Sequence, residues 1–384
     1  MRLSYTLFGV FLLVTFAGLS VAGPITGPIS ITDTFSVSSA CCLNANEQFL
    51  YNAPVNGADH TFFYSNGAST DLGLLEAGQF GAALLAMNNS AQFVISGQLG
   101  VNSEEQVSNG KAIPVQSWPS TFQPVGLNNA DVLVGTDRQG STPQAAIYAN
   151  GKVTDLGAVS SSLNATFGGL INDGGTVVVS AQSSSSPVSP NYTYTWSNGT
   201  WTNIGSLGNN TYQYTQANAI NKTGEIVGYS APTYTPTISD QQAFAYLDGT
   251  MSALGTLGGT YSEAQAVNDS GDIVGFSILA GDDRDTAFLY ENGAMIDLNT
   301  LLPAGSPWYL TDAIGIDDAG QILALGFDAD NSTDSTDAFL LQLPGQSVTP
   351  EPGSLVLTAL GLVGGLTCIH RAHRRSRVLS DESI

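Results

Sequence analysis

The sequence predicts an all-β protein, a β-propeller of about seven four-stranded blades, with six or eight blades as alternatives. An N-terminal signal peptide and a C-terminal transmembrane-like helix are expected to flank it. Three observations predict this: a unit that recurs every forty to fifty residues, short apolar runs broken by hairpin turns, and apolar segments at both chain ends. A period in the forties fits one four-stranded propeller blade.

The repeat is clearest in two consecutive units, which begin ANAINKTGEIVGYS at Ala217 and AQAVNDSGDIVGFS at Ala264. An Asn or Asp after an apolar residue marks the same phase seven times, with spacings of 44, 40, 44, 49, 47 and 49 residues. These residues are Asn44, Asn88, Asn128, Asn172, Asn221, Asn268 and Asp317. Because Asn and Asp cap turns through side-chain hydrogen bonds, we expect them to be scaffold residues at turns, like the recurring glycines.

Each unit divides into four predicted strands of four to six apolar or aromatic residues, separated by Asn-Gly, Asp-Gly or Ser-Gly pairs. Such pairs form hairpin turns because they adopt a positive φ at low cost. The second unit matches the others least well, over residues 105–115. No sustained helical period interrupts the pattern, so the β-repeat extends over residues 23–345.

The two ends of the repeat region complement one another. The last unit stops after its third strand, at residues 341–343, whereas residues 29–34 (ISITDT) resemble an unpartnered fourth strand. We predict that this segment completes the last blade and closes the ring, because closure protects the strand edges that an open array exposes.

Residues 1–22 have the features of a secretory signal peptide. Arg2 precedes an apolar run over residues 7–19, and the small residues Ser20 and Ala22 lie before the expected cleavage site. At the other end, residues 355–369 are apolar and uncharged, and a basic cluster follows at Arg371, Arg374, Arg375 and Arg377. Basic residues after an apolar segment stay on the cytoplasmic side, so the preceding domain is expected outside.

The C-terminal segment, residues 346–384, contains Pro350, Glu351 and Pro352 immediately before the apolar run. Pro-Glu-Pro, an apolar stretch and an arginine cluster, in that order, resemble the PEP-CTERM sorting signal of bacterial proteins associated with exopolysaccharide. The resemblance implies a partner, the exosortase, a membrane protease that cuts near the tripeptide, and hence a temporary membrane anchor. Residues 378–384 extend past the basic cluster, which departs from the family pattern.

The charge of the region between these ends excludes one class of partner. Residues 23–349 contain five basic and 29 acidic residues. Nucleic-acid and anionic-membrane binding both need a cationic surface, so neither is expected of this region. An acidic surface suits a soluble exported domain.

The repeat also resembles the HAF family of extracellular repeats, named for a His-Ala-Phe triplet. The triplet is matched here by residues 242–244, 286–288 and 337–339, and loosely by His60, Thr61 and Phe62. The resemblance covers most of residues 37–343, but the histidine is absent from every other unit. It implies no activity.

No catalytic site is evident from the residues. His60 is the single histidine of residues 23–349 and is expected at the surface or at a strand edge. Cys41, Cys42 and Cys368 suggest no disulfide framework, since two are adjacent. Ser108 with Lys111 (S-x-x-K) and Lys222 with Gly224 (K-T-G) match motifs of penicillin-recognising enzymes, but both lie on predicted turns.

Carboxylates offer two further alternatives. Asp71, Asp155 and Asp297 recur before Leu in the fourth strand, which favours a scaffold role, whereas the insertions at residues 282–285 and 328–334 do not recur. Asp328, Asp330 and Asp334 are a weak calcium candidate, because they alternate like calcium ligands but lack the central Gly and closing Glu of an EF-hand loop.

We therefore expect a non-enzymatic structural or binding protein, exported and transiently anchored in the inner membrane, then located at the cell surface or in the exopolysaccharide or biofilm matrix. One alternative is a polysaccharide-active enzyme, a hydrolase or lyase that uses unique carboxylates. In that case Trp118, Trp196, Trp201 and Trp308 would stack on sugar rings, unless they pack the blades. The other alternative is a calcium-dependent adhesin.

Overall fold

A computed structural model describes residues 29–344 apart from nine internal gaps, at 75–82, 97–105, 109–110, 114–117, 183–191, 209–213, 232–240, 282–283 and 331–335. The described residues form seven antiparallel sheets of four strands each, which confirms the predicted all-β propeller and its seven units. The predicted signal peptide and sorting segment lie outside the described residues. Within those residues, no helix is long and apolar enough to cross a membrane.

Each sheet is one blade, and the blades follow one another along the chain. Blade 1 contains β2 (Ser39–Cys41), β3 (Phe49–Val55), β4 (Ala58–Ser65) and β5 (Ala68–Gly73); blade 2 contains β6 (Ala83–Met87), β7 (Phe93–Ser96), β8 (Gln106–Ser108) and β9 (Lys111–Ile113). Blade 3 contains β10 (Phe122–Leu127), β11 (Leu133–Asp137), β12 (Gln144–Ala149) and β13 (Lys152–Asp155); blade 4 contains β14 (Ala165–Ile171), β15 (Val177–Gln182), β16 (Tyr192–Ser197) and β17 (Thr200–Asn203).

The remaining three blades complete the ring. Blade 5 contains β18 (Tyr214–Ile220), β19 (Ile226–Ala231), β20 (Gln242–Leu247) and β21 (Thr250–Gly255); blade 6 contains β22 (Gly258–Val267), β23 (Ile273–Leu279), β24 (Asp285–Glu291) and β25 (Ala294–Asp297), followed by a 3-10 helix, Leu298–Leu301. Blade 7 contains β26 (Trp308–Ile316), β27 (Gln321–Asp328), β28 (Asp337–Gln342) and β1 (Ser30–Ser36).

The predicted closing strand is confirmed. Strand β1 pairs with β28 in antiparallel register, from Ser30 opposite Gln342 to Ser36 opposite Asp337. The ring of Phe35 at the end of β1 lies 5.4 Å from that of Phe49 in blade 1. The first strand of the chain therefore completes blade 7 and also packs against blade 1.

The hydrophobic core lies between neighbouring blades. Val178 of blade 4, for example, packs with Ile226 and Phe244 of blade 5, because alternate side chains of each strand face the next sheet. The four tryptophans pack against these clusters, as the packing alternative predicted, and Trp308 lies edge-on to Phe339 with ring centroids 5.1 Å apart. They do not form an exposed aromatic platform.

Two details of the turns and strands refine the sequence expectations. Asn-Gly and Asp-Gly pairs such as Asn292-Gly293 have positive φ at both residues, as hairpin turns require. Gly271 lies at a turn as expected, but Gly275, which sequence reasoning also placed at a turn, lies inside β23. A β-bulge in β22 brings its backbone so close that a Cβ on Gly275 would lie 2.0 Å from the Glu263 carbonyl oxygen.

One disulfide, at the end of β2, was not predicted from the sequence. Cys41 and Cys42 form a disulfide between adjacent residues. The chain turns at Cys42, where φ is 72°, and this brings the neighbouring side chains together. The bond encloses no longer loop, so it does not connect blades, and blade-to-blade stability still depends on packing and hydrogen bonds.

Candidate functional site

The seven repeated Asn and Asp residues lie together at one end of the inner strands. All seven are at most 7% exposed. The Oδ1 atom of Asn268, for example, accepts hydrogen bonds from the backbone N–H groups of Ser270 at 3.0 Å and Asp272 at 2.9 Å. The predicted turn-capping role is thereby confirmed.

The same side chains also connect the blades, which sequence reasoning missed. In six blades the Asn Nδ2 donates to the backbone oxygen of the equivalent residue in the next blade, over 2.9 to 3.3 Å. Asparagine supplies both an acceptor for its own turn and a donor for its neighbour, whereas an ionised aspartate supplies acceptors alone. The sequence signal for these bonds between blades was the preference for Asn over Asp at six of the seven repeated positions.

Asp317 is the exception in blade 7. Its Oδ1 accepts from Ala319 and Gln321 N–H like an Asn, but its Oδ2 has no partner among the described residues, and neither does Gln321 Oε1. Burial raises the pKa of Asp317 to about 6, with smaller contributions from the carboxylates of Glu47 and Asp318, although its two N–H donors act in the opposite direction.

The ring borders a polar cavity of about 330 Å³ at the mouth of the central channel. The residue after each repeated Asn or Asp forms a second ring around this mouth, in which Lys222 is the one cation of the lining. The Asp269 carboxylate accepts from Lys222 N–H at 2.9 Å, so Lys222 lies on a turn, as expected. The second ring consists of Ala45, Asn89, Asn129, Asp173, Lys222, Asp269 and Asp318.

A second polar region lies on blades 5, 6 and 7, about 17 Å further along the inner strands by the rise of a β-strand. We call the carboxylates of Glu263, Asp285 and Asp312 in this region the acidic cluster. Asn218 of blade 5 donates to Glu263 Oε1 at 2.9 Å, and the Tyr261 hydroxyl donates to Asp285 Oδ1 at 2.7 Å. The cluster thus joins three adjacent blades.

Aromatic and cationic groups border the acidic cluster. The Arg284 guanidinium lies 4.8 Å from the centre of the Tyr309 ring, and the Tyr309 hydroxyl is 2.7 Å from Thr286 Oγ1. On blade 5, Tyr214 and Tyr229 have ring centroids 6.0 Å apart. Tyrosine rings beside carboxylates suit a ligand that has both apolar faces and hydroxyl groups.

Two carboxyl groups of the cluster, those of Asp312 and Glu263, have a raised pKa. Burial, followed by the charges of Glu263 and Asp285, raises the pKa of Asp312 to about 7. Burial and the charge of Asp285 also raise the pKa of Glu263, against the lowering by its hydrogen bond from Asn218. Asp312 Oδ1 is buried without a partner among the described residues. Near neutral pH, this cluster can therefore contain one protonated and one ionised carboxyl group.

Glu263 and Asp312 occupy the same phase of the repeat, five residues before its Asn or Asp, which sequence reasoning missed. Acidic residues occur at this phase only in the two neighbouring units that meet at the cluster. The sequence signal for the cluster was this departure from the repeat at one position of the inner strand. The sequence analysis considered the acidic insertions at residues 282–285 and 328–334 instead. The other five units have Ser39, Ala83, Gln123, Phe167 and Gln216 at this phase.

The calcium candidate is not assembled by the described residues. Asp328 Oδ1 accepts from Asp330 N–H at 2.9 Å, which is an ordinary turn contact, and Asp334 lies outside the described residues. The parts of the chain that are described contain no group of three or more His, Cys, Asp or Glu residues placed to hold a metal ion. The calcium site stays a prediction.

His60 lies on β4 of blade 1, where its Nδ1 is 3.0 Å from Asp71 Oδ2. Burial is the largest single influence on the pKa of Asp71 and raises it, but the hydrogen bonds from His60 and Gly73 and the charge of His60 together outweigh burial and leave this pKa lowered. Asp71 and Asp297 both accept backbone N–H groups two residues on, at 2.7 and 2.8 Å, which agrees with their predicted scaffold role.

Comparison with known proteins supports the fold. A family model described as a protein of unknown function (DUF3466) matches residues 171–342, from the first strand of blade 4 into blade 7. A search of curated protein sequences found no match.

Three solved structures are similar over most of their length. An oligogalacturonate lyase in complex with manganese is 13% identical, with 83% of this chain and 97% of that chain covered and a TM-score of 0.52. An oligogalacturonate lyase from Vibrio parahaemolyticus is 10% identical (82% and 93% covered, TM-score 0.51), and the β-propeller domain of the Trilobed protease from Pyrococcus furiosus is 9% identical (84% and 99%, 0.51). At such identities the similarity shows the propeller fold alone.

Proposed function

We propose that this protein is an exported, non-enzymatic polysaccharide-binding propeller of the bacterial cell envelope or exopolysaccharide matrix. The observation that carries the proposal is the acidic cluster with its bordering tyrosines, which departs from the repeat on adjacent blades. The PEP-CTERM-like segment supports the location, because that signal implies an exosortase and a temporary membrane anchor. Two of the structurally similar proteins are oligogalacturonate lyases by name, so the fold is compatible with a saccharide ligand.

The charge of the cluster favours one class of polysaccharide. Glu263, Asp285 and Asp312 place three carboxyl groups close together, and the nearby cation, Arg284, lies against an aromatic ring. A polyuronate would be repelled by these carboxylates, whereas an uncharged or amino-sugar polymer can donate hydroxyl or ammonium hydrogens to them. We therefore expect an amino-sugar or neutral glycan to bind in preference to a polyuronate.

A second candidate, a polysaccharide-active enzyme, is favoured by the pKa of Asp312. A carboxyl group with a pKa of about 7 beside another carboxylate matches the pairing of general acid and base in glycoside hydrolysis. Asp312 would then protonate the leaving oxygen, while Glu263 activates water.

Binding of the purified full-length chain to insoluble chitosan, cellulose and cross-linked polygalacturonate tests the proposal. We expect retention on chitosan or cellulose, and at least a roughly tenfold loss for Glu263→Gln and Asp312→Asn, since a hydrogen bond to a charged group contributes about 1.5–3 kcal/mol. Asp248→Asn, at an exposed hairpin turn of blade 5, is the control and should bind normally.

Two outcomes would decide against the proposal. Passage of the wild-type chain through all three polymers removes the binding role. Release of soluble oligosaccharides by the wild type, but by neither cluster variant, establishes the enzyme instead.

A further inference from the structure

The seam between blades 7 and 1 lacks the donor that the other six seams have. In blade 1, Asn44 Nδ2 donates to two acceptors, the Asn88 backbone oxygen and Gln48 Oε1, both at 2.9 Å. In blade 2, Asn88 makes the same pair of bonds, to the Asn128 oxygen at 3.3 Å and to Gln92 Oε1 at 2.8 Å. In each case the amide donates both within its own turn and to the next blade, and Asn88 Nδ2 also lies 3.2 Å from Asp131 Oδ1.

Blade 7 has the same acceptors but an acid in place of the amide. Asp317 Oδ1 keeps both turn contacts, with Ala319 N–H at 3.0 Å and Gln321 N–H at 2.8 Å, so Oδ2 takes the position that Nδ2 has elsewhere. Asp317 is 4% exposed and Gln321 is 5% exposed, and neither Oδ2 nor Oε1 has a described partner. If Asp317 is ionised, its Oδ2 has no hydrogen to donate, and both Oδ2 and Gln321 Oε1 are buried acceptors without a donor among the described residues.

We infer that, in mildly acidic surroundings, Asp317 of the folded protein is a neutral carboxylic acid, whose Oδ2–H replaces the missing amide and closes the hydrogen-bonded ring as a pH-sensitive seam. The Asn44 backbone oxygen, which accepts Glu47 N–H at 3.2 Å, has a second lone pair for this bond. Ionisation removes the only hydrogen on Oδ2 and weakens the contact between the first and last blades.

The charged groups around Asp317 all favour its neutral form. Glu47 of blade 1 and Asp318 of its own turn interact with it directly. From blade 6, Asp269 N–H contacts the Asp318 carboxylate, and Asp272 accepts from the Asn268 amide that bonds to the Asp317 backbone oxygen. Lys222, the cation of the cavity lining, is two blades away.

The direction of the pH dependence follows from linkage. An acid whose folded-state pKa is raised stabilises the fold fully below its unfolded pKa and loses that contribution as pH rises through the folded value. For Asp317 the window extends from the ordinary value of 3.8 to about 6, a shift caused first by burial. The seam is therefore strongest in mildly acidic surroundings.

Thermal unfolding of the full-length chain between about pH 4 and pH 8 tests the inference through the isosteric variant Asp317→Asn. We expect the melting temperature of Asp317→Asn to exceed that of the wild type by a margin that grows from about pH 4 to about pH 6 and then levels off. Adding Asn128→Asp to this variant should create the same pH dependence at the seam between blades 3 and 4.

A local measurement distinguishes an effect on the seam between blades 7 and 1 from an effect on the stability of the whole protein. Hydrogen exchange of the Glu47 amide, corrected for its intrinsic pH dependence, should accelerate across this window in the wild type but not in Asp317→Asn. A melting-temperature difference that does not vary with pH, or equal exchange in both proteins, would overturn the inference. It would then follow that the Gln321 amide supplies the donor and Asp317 stays ionised. None of these readouts depends on polysaccharide binding.

Discussion

At the scale of single residues, Asn128 shows why one amide side chain recurs around the ring. Its Oδ1 accepts from Ala130 and Val132 N–H, both at 3.0 Å, and its Nδ2 donates to the Asn172 backbone oxygen at 3.1 Å. The turn-capping half of this role was predictable, because it depends on residues adjacent in sequence. The bond between blades was not, because it depends on which units become neighbours in space.

We predict that Asn128→Ala destabilises the protein by about 2–4 kcal/mol, because it leaves buried backbone groups of two blades without partners. Urea denaturation monitored by tryptophan fluorescence measures this. The control is the exposed neighbour Asn129, which accepts a hydrogen bond from Asn89 N–H at 2.7 Å. Asn129→Ala should lower the free energy of unfolding clearly less than Asn128→Ala does. Equal losses of stability in the two variants would mean that the asparagine bonds between blades contribute little to the stability of the protein.

The acidic cluster, like the bonds between blades, was not predictable from residues adjacent in sequence. Its pairing depends on the contact between blades 6 and 7, and a single unit of the sequence does not reveal it. Glu263 and Asp312 are 49 residues apart, one repeat, so only superposition of the units places them at one phase.

At the scale of strands, the repeat predicted four strands per blade, and every blade has them, including the weakly matching second and the seventh, which takes its fourth strand from β1. Hairpin turns were predictable because Asn-Gly and Asp-Gly have a local preference for positive φ. The bulge in β22 was not, since it depends on the pairing with β23, where Gly275 leaves room for the Glu263 backbone.

We expect Gly275→Ala to destabilise blade 6 by about 1–3 kcal/mol or more, as overpacking does, because the new Cβ would meet the Glu263 carbonyl oxygen at 2.0 Å. Gly140→Ala is the matched control, since its nearest neighbouring atom would be 3.8 Å away. Calorimetric melting of the two variants should differ. Similar stability would show that β22 relaxes at little cost.

At the scale of the whole molecule, counting strands was enough to predict ring closure. Seven units with a last blade one strand short, and one surplus strand at the start, allow few other arrangements. The predicted sorting segment lies beyond the described residues, and the role proposed for it depends on the PEP-CTERM resemblance.

Replacement of Pro350, Glu351 and Pro352 by alanine should trap the chain in the membrane fraction, because the exosortase would no longer cut it. Fractionation of a bacterium that has an exosortase, followed by immunoblotting, measures this. Alanine replacement of Gln346, Ser347 and Val348 controls for the nearby change. Normal release of the Pro-Glu-Pro variant would contradict the sorting role.

The pairing of β1 with β28 requires the two ends of the repeat region to meet before the ring is closed. The Thr32 hydroxyl bonds to the Leu340 backbone oxygen across 308 residues of chain, and contacts of such separation form slowly. If the chain is exported from the N-terminus as proposed, β1 emerges first but has no partner until the last strand has crossed. A chain anchored by its C-terminal segment at that moment would close its ring while still at the membrane, where an unpaired edge is less able to meet another copy.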